Sequence, residues 1–132
     1  MSGSIFQKII RREIPAYIVQ ESDKFIAFLD AFPLQRGHTL IVPKVEVDYI
    51  FDLEDKYLGE MMIFAKEVAQ KIKRVIPCDR VGVAVIGLEV PHAHIHLVPI
   101  NQMKDIDFQA KKLQLSKEEM QHICEQLRGE LK

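Results

Sequence analysis

The sequence has few of the features that mark secreted, membrane or nucleic-acid-binding proteins. Only two of its 132 residues are cysteines, Cys78 and Cys124, too few and too isolated for a disulfide framework or a CxxC metal site. The formal net charge of -1 argues against general affinity for nucleic acid polymers or anionic membranes, which depends on a strongly basic surface. No apolar run approaches membrane-spanning length, and the N-terminus lacks the apolar region of a secretory signal. We therefore expect a cytoplasmic protein that meets any phosphate at a local site.

The composition is ordinary for a soluble globular domain. Hydrophobic residues make up 48% of the chain and charged residues 28%, close to average usage. The length is sufficient for one hydrophobic core and too short for two. We predict a single domain over residues 1–132, with a core of about residues 5–100 and a C-terminal extension, residues 101–132, that carries a helix.

Three of the five histidines fall at every second position within residues 91–99, as His92, His94 and His96. A β-strand sends alternate side chains to opposite faces, so this spacing predicts three imidazoles on one face and the intervening apolar residues on the other. Each ring brings a hydrogen-bond donor and an acceptor that must be satisfied if it is buried. Because three such rings are hard to satisfy in a purely structural strand, the pattern indicates a catalytic or ligand-binding role.

The rest of the chain predicts a mixture of helices and strands. Helices are expected before Pro15, from Asp52 to about Ile76, and after a capping box that starts at Ser116. Strands are expected over residues 17–21, 25–30, 38–43 and 81–86 and in the histidine stretch. The strand at 81–86 is apolar throughout, which predicts a central place in the sheet.

The long helix has a wide apolar surface. Met61, Met62 and Phe64 lie on or beside its apolar stripe and make it wider than one sheet face requires. Two interpretations remain open at this point, which are ordinary core packing and contact with a partner helix across a dimer interface.

The histidine face itself allows three interpretations. The rings are structural, or they bind a transition metal, for which neutral imidazole is a common ligand. In the third interpretation one imidazole attacks phosphorus and holds the phosphoryl group covalently while its neighbours donate hydrogen bonds to the phosphate oxygens. Three rings in strict alternation, with His38 heading another predicted strand, favour the third interpretation.

Four motifs resemble one known family. Residues 92–98 are similar to the His-x-His-x-His-x-x motif of the histidine triad (HIT) family, in which x is apolar. Residues 8–16 resemble the family's N-terminal KII-x-x-EIPA segment, typical of its Hint-like branch. Residues 28–30 and 37–44 resemble its substrate-binding pair of strands. The similarity runs in order over roughly residues 5 to 100.

The resemblance implies an α+β, HIT-like domain. Its mostly antiparallel sheet of about five strands carries one main helix, a short N-terminal helix and a C-terminal helix. The family forms homodimers and hydrolyses or transfers nucleoside phosphates joined to a leaving group, so a purine nucleotide or nucleoside phosphate is the expected substrate. No cofactor is implied. Whether the C-terminal extension reaches the partner's site is left open.

The resemblance also assigns roles to single residues. His94 corresponds to the nucleophile that forms a nucleotidyl-histidine, and His96 to a partner that contacts phosphate, with His92 and His38 supporting them by hydrogen bonds. Asp30 corresponds to the carboxylate that holds the ribose hydroxyls, a task that suits an ionised acceptor. Residues expected to flank the base or approach the leaving group are Phe6, Ile10, Phe28, Leu29 and Glu89.

The chain departs from the family pattern in three ways, one of which is that the loop from Val85 to Gly87 is shortened and lacks an asparagine commonly found there. Ser4, Gln7 and Glu46 stand where many members have zinc ligands, so we expect no metal. Leu88 follows Gly87 where the family commonly has glutamine, which removes a polar side chain beside the phosphate. Loss of the glutamine leaves a nucleotide-binding regulatory module with little turnover as an alternative to the enzyme. A metal-binding protein, in which the clustered imidazoles are ligands, is the third alternative.

Overall fold

The computed structural model describes residues 3–130 and confirms the α+β fold. The helices are α1 (Ile5–Ile10), α2 (Asp55–Val75) and α3 (Lys117–Leu127). The strands are β1 (Ile18–Glu21), β2 (Phe25–Leu29), β3 (Thr39–Pro43), β4 (Arg80–Ala84) and β5 (Ile95–Ile100). Single 3₁₀ turns cover Ile50–Asp52 and Met103–Ile106. Residues 1–2 and 131–132 of the predicted domain lie outside the described residues.

The five strands form one antiparallel sheet in the order β1-β2-β3-β5-β4. The β1–β2 hairpin agrees with the sequence pattern. The prediction that the strand at 81–86 is central was wrong, because β4 is an edge strand and Val83 is 52% exposed. An uninterrupted apolar run predicts that side chains on both faces of a strand are shielded from water. It does not predict which other segments shield them, so it cannot place the strand within the sheet.

Helix α2 covers one face of the sheet. Its residues Met61, Phe64, Ala65, Val68 and Ile72 are buried in the main hydrophobic core. Met61 and Phe64 therefore pack in the core, whereas Met62 is 47% exposed because the helix turns it away from the sheet. Helix α3 packs against α2 and β1 on the same side. None of the helices within residues 3–130 has the length and apolar character needed to cross a bilayer.

Helix α1 covers part of the opposite face. Phe6 and Ile9 pack against Phe28 of β2 and Leu40 of β3. The hydroxyl of Ser4 accepts a hydrogen bond from the Gln7 N–H at 3.1 Å and caps the helix N-terminus. Both faces of β2 and β3 are thus covered, which explains why every residue in these two strands is buried.

The histidine stretch is only partly a strand. β5 begins at Ile95, so His96 lies in it, whereas His92 and His94 precede it in irregular backbone. The N–H of Ala93 donates to Val47 O at 2.7 Å instead of joining the ladder of the sheet. The prediction of one strand carrying all three rings was therefore wrong in its secondary structure. The rings of His94 and His96 nevertheless lie side by side, with centroids 4.8 Å apart.

Candidate functional site

A cavity of about 560 Å³ opens on the face of the sheet that carries α1. Helix α1 and strand β2 form one wall, and the loop that follows β4 forms another. The residues after the Met103–Ile106 turn contribute a third. The carbonyl end of β2, the start of β3 and the start of β5 bring titratable side chains to its floor.

Eight of the ten residues predicted for the site line this cavity, and they are Phe6, Phe28, Leu29, Asp30, His38, Glu89, His94 and His96. Ile10 does not line it, because it packs within the cluster between α1 and the sheet, and Ile9 takes a place in the wall instead. His92 does not line it either. It is fully buried, where its Nε2–H donates to Pro43 O at 2.8 Å and its Nδ1 accepts from the Ser4 hydroxyl at 3.3 Å.

The imidazole of His94 is fixed in one tautomer. Its Nδ1 lies 2.7 Å from the carbonyl oxygen of His92, and because a carbonyl only accepts, the ring proton is on Nδ1. Burial lowers the pKa of His94, although the hydrogen bond to the His92 carbonyl opposes that shift. His94 Nε2 has no partner among residues 3–130 and is not sealed from solvent. A neutral ring thus presents a lone pair to the cavity.

His96 is fixed in the opposite tautomer by a relay of two hydrogen bonds. The backbone N–H of Leu34 donates to His38 Nδ1 at 2.9 Å, which places the His38 proton on Nε2. That proton is donated to His96 Nδ1 at 3.0 Å, so His96 carries its own proton on Nε2. Burial lowers the pKa of His38 to about 3 and that of His96 to about 4, so both rings are neutral near pH 7.

The two neighbouring rings therefore offer complementary groups to one ligand. His94 offers an acceptor lone pair and His96 offers an N–H donor. A nucleophile beside a donor is the arrangement that attack on a phosphoryl group requires, because the attacking atom needs a lone pair and the phosphate oxygens need donors.

Asp30 lies where β2 ends and its carboxylate faces the same cavity. One oxygen accepts from the Phe32 N–H at 2.8 Å, and the other lies 3.5 Å from His38 Nε2. Since His38 is neutral, this second contact is not an ion pair. Burial raises the pKa of Asp30 from its ordinary value, and the nearby positive charge of Lys112 opposes that shift. The carboxylate keeps acceptor capacity for a ligand hydroxyl.

Asp30, His38 and His96 form a group whose possible metal-ligating atoms lie within 4.8 Å of one another. A cation bound at His38 Nε2 would require the ring proton on Nδ1, where it would face the N–H of Leu34. Two donors pointing at each other are unfavourable, so the hydrogen bonds of this chain oppose a metal at that atom. The expectation of a metal-free site stays a prediction.

Sequence reasoning missed the wall formed by the C-terminal segment, in which Phe108, Gln109 and Lys112 line the cavity. The Phe108 ring lies 4.7 Å from the His96 ring, centroid to centroid. The N–H of Leu113 donates to Pro33 O at 2.8 Å and ties the segment to the loop that follows Asp30. The segment thus completes the cavity of its own chain. Its polar, aperiodic sequence carries no signal of this position.

The chain is similar to known proteins in both sequence and fold. A family model described as the HIT domain matches residues 11–103. An uncharacterized HIT-like protein of Borreliella burgdorferi is 32% identical, over 96% of this chain and 97% of its own length. The adenosine 5′-monophosphoramidase of Saccharomyces cerevisiae is 37% identical over 74% of this chain and 63% of its own. The crystal structure of a HIT-like protein from Bartonella henselae superposes with a TM-score of 0.82 at 28% identity, covering 97% of this chain and 96% of that one. The chain belongs to the HIT domain family.

Proposed function

We propose that this protein is a nucleotide hydrolase or transferase that cleaves a nucleoside phosphoramidate, or a related nucleoside phosphate, through a covalent nucleotidyl-histidine on His94. The observation that carries the proposal is the 2.7 Å hydrogen bond between His94 Nδ1 and the His92 carbonyl, which leaves Nε2 unprotonated and open to the cavity. The similarity to a yeast adenosine 5′-monophosphoramidase supports this class of substrate.

The chemistry follows from the two tautomers. His94 Nε2 attacks the α-phosphorus, an N–P bond forms, and the bonding electrons of the scissile bond leave with the amine nitrogen, which takes a proton from solvent. The ring then carries positive charge, because Nδ1 keeps its proton, and the His92 carbonyl stabilises that charge. His96 Nε2–H donates to a phosphate oxygen. Water next attacks the same phosphorus and loses a proton to solvent, and the N–P bond breaks with its electrons returning to His94 Nε2, which releases the nucleoside monophosphate and restores neutral His94.

The rest of the nucleotide fits the remaining walls. Asp30 is offered to the ribose hydroxyls as an acceptor, and a purine base takes the apolar region between Phe6, Phe28 and Leu29. Glu89 is an exposed carboxylate at the cavity, and its negative charge acts on both His94 and Asp30. We place it on the side of the leaving group.

The proposal is tested by trapping the intermediate. Incubation with α-³²P-labelled adenosine 5′-phosphoramidate followed by a rapid quench yields a labelled protein whose label is lost in acid, as expected for a P–N bond. His94→Ala abolishes labelling and turnover, but the variant still unfolds cooperatively on heating, as a folded protein does. His122→Ala, which alters an exposed histidine of α3, retains both. Labelling of the His94→Ala variant would contradict the assignment.

One observation favours slow turnover. Leu88 lines the cavity and is 88% exposed, at the position where the resemblance to the family implies a polar glutamine. A regulatory module that binds nucleotide and hardly turns it over is the alternative function. Tight binding of adenosine 5′-monophosphate without phosphoramidate hydrolysis would support that alternative.

We also propose that two copies of the chain associate through β4 and α2. β4 is an edge strand whose outer backbone groups lack a sheet partner within residues 3–130, and such edges usually need a cover. Val83 in β4 and Val85, which follows the strand, are 52% and 44% exposed, and Met62 and Ile63 of α2 are 47% and 61% exposed. Antiparallel pairing of β4 with its own copy about a two-fold axis would cover both edges together.

Light scattering tests the dimer. The wild-type protein gives twice the chain mass at micromolar concentration, and Val83→Glu gives the chain mass because it places a charge in the apolar contact. Val45→Glu, a like change outside α2 and β4, leaves the mass unchanged. A wild-type monomer would refute the proposal.

A cytoplasmic location stays a prediction.

A further inference from the structure

Lys112 brings a positive charge to the cavity that the mechanism above does not use. Within the described range, the charged side chains that line the cavity are Asp30, Glu89 and Lys112, so Lys112 is the cationic one. It belongs to the C-terminal segment, and its neighbour Leu113 bonds to Pro33 O at 2.8 Å. This bond holds Lys112 beside the loop that begins at Asp30.

The ammonium group is positioned by its own segment. Its Nζ donates to Phe108 O at 2.7 Å and to Ala110 O at 3.2 Å. An ammonium has three protons, so one donor is left over, and residues 3–130 offer it no further acceptor. The side chain is half-buried, which restricts its movement.

Lys112 and Asp30 share the cavity without pairing. No ion pair joins them, although the positive charge of Lys112 acts on both Asp30 and His38. The bond from the Leu113 N–H to Pro33 O holds the segment that carries Lys112 beside the loop that begins at Asp30, so one ligand in the cavity can approach both charged side chains.

We propose that Lys112 is a specificity-determining residue that donates a hydrogen bond to the ribose 2′ or 3′ oxygen, while Asp30 accepts the proton of the same hydroxyl. A hydroxyl both donates and accepts, so a carboxylate on one side and an ammonium on the other satisfy it completely. The proposal rests on the proposed function, because it takes the nucleotide orientation from it. It adds the C-terminal segment to sugar recognition.

The test compares sugars rather than rates alone. Adenosine 5′-phosphoramidate and its 2′-deoxy and 3′-deoxy analogues are hydrolysed by the wild-type protein, Lys112→Met and Lys112→Arg. Lys112→Met lowers kcat/KM for the ribonucleotide about ten-fold, as expected for loss of a charged hydrogen bond. The same change lowers kcat/KM by less than about two-fold for the deoxy analogue that lacks the contacted oxygen. Lys112→Arg restores part of the ribonucleotide rate.

Lys111→Met is the matched control. It removes the same charge from the adjacent residue, which is exposed and does not line the cavity, and it leaves the sugar preference unchanged. Equal losses on all three sugars in Lys112→Met would overturn the inference, because they indicate a phosphate contact or a displaced wall. Hydrolysis of none of the substrates by the wild-type protein, together with no binding of adenosine 5′-monophosphate, would instead refute the proposed function and the inference with it.

Discussion

At the scale of single residues, one backbone N–H determines the chemistry of a ring two contacts away. The N–H of Leu34 sets the proton of His38, and His38 sets the proton of His96. The donor that His96 presents to the cavity therefore depends on Leu34, a residue that does not line it. Such hydrogen bonds from outside the site commonly fix the tautomer of a functional imidazole.

We predict that His38→Phe lowers kcat about ten-fold or more with little change in KM, because His96 loses the donor that fixes its tautomer. The unpaired N–H of Leu34 lowers the free energy of unfolding by about 1–3 kcal/mol. Steady-state kinetics and chemical denaturation measure the two effects. His38→Gln, whose amide can both accept and donate, recovers part of each, and a phenylalanine variant with full activity would refute the relay.

Asp30 gives a second prediction at this scale. The wild-type protein hydrolyses ribonucleotide substrates about ten-fold faster in kcat/KM than 2′-deoxy analogues, because the deoxy sugar leaves a buried acceptor unpaired. Asp30→Ala largely abolishes the preference. Competition between the two sugars in one reaction measures the ratio directly, and equal rates in the wild-type protein would show that Asp30 does not hold the ribose.

The histidine spacing shows what the sequence can predict about the site. Alternation correctly indicated that the rings of His94 and His96 lie side by side, and His38, at the start of a strand, contacts His96 from the neighbouring strand. Tautomers were out of reach, because they depend on where a loop carries the N–H of Leu34. The burial of His92 was also out of reach, since its partners Ser4 and Pro43 are distant in sequence.

At the scale of elements, long periodic segments could be predicted from the sequence, but the position of a strand at the edge of the sheet could not. The apolar stripe of α2 repeats over five turns and identified the helix and most of its buried face. β4 has the composition of a buried strand but lies at the edge, and its apolar run could not show this, because an apolar run does not report which strands pair with it. The C-terminal segment was missed for a different reason. It contributes single contacts from irregular backbone, which leave no period to detect.

We predict that Phe108→Ala raises the pKa values of His38 and His96 toward the ordinary value of about 6.5, because both are lowered chiefly by burial and the Phe108 ring covers them. The acidic limb of the rate profile moves to higher pH, and NMR titration of the ring protons reports the shift directly. Phe32→Ala is the control, since that ring also lines the cavity but is 72% exposed. Unchanged titration in Phe108→Ala would show that other side chains exclude the water.

At the scale of the whole molecule, the buried neutral histidines make stability depend on pH. In the unfolded chain histidines bind protons near pH 6.5, whereas His38 and His96 stay neutral down to pKa values of about 3 and about 4. Between those values the unfolded state binds more protons. The free energy of unfolding therefore rises with pH across this window and falls on acidification below about pH 6.5.

The expected slope is about 1.4 kcal/mol per pH unit for each such histidine. Denaturation curves between pH 4.5 and 6.5 (about the window set by these pKa values) measure it, and His96→Gln reduces the slope by the share of one residue. His122→Gln leaves it unchanged, because that ring is exposed in the folded state. Equal slopes in the wild type and His96→Gln would show that His96 takes up its proton in the folded protein.

The walls of the cavity come from opposite ends of the chain, α1 on one side and the segment with Phe108 and Lys112 on the other. Contacts between such distant parts of a chain form late in folding, because a long loop must close before they are made. During synthesis the sheet and the histidine stretch leave the ribosome before the last wall exists. A nascent chain thus exposes His94 before the cavity around it is complete, and the cavity reaches its full shape only when the C-terminal segment has docked.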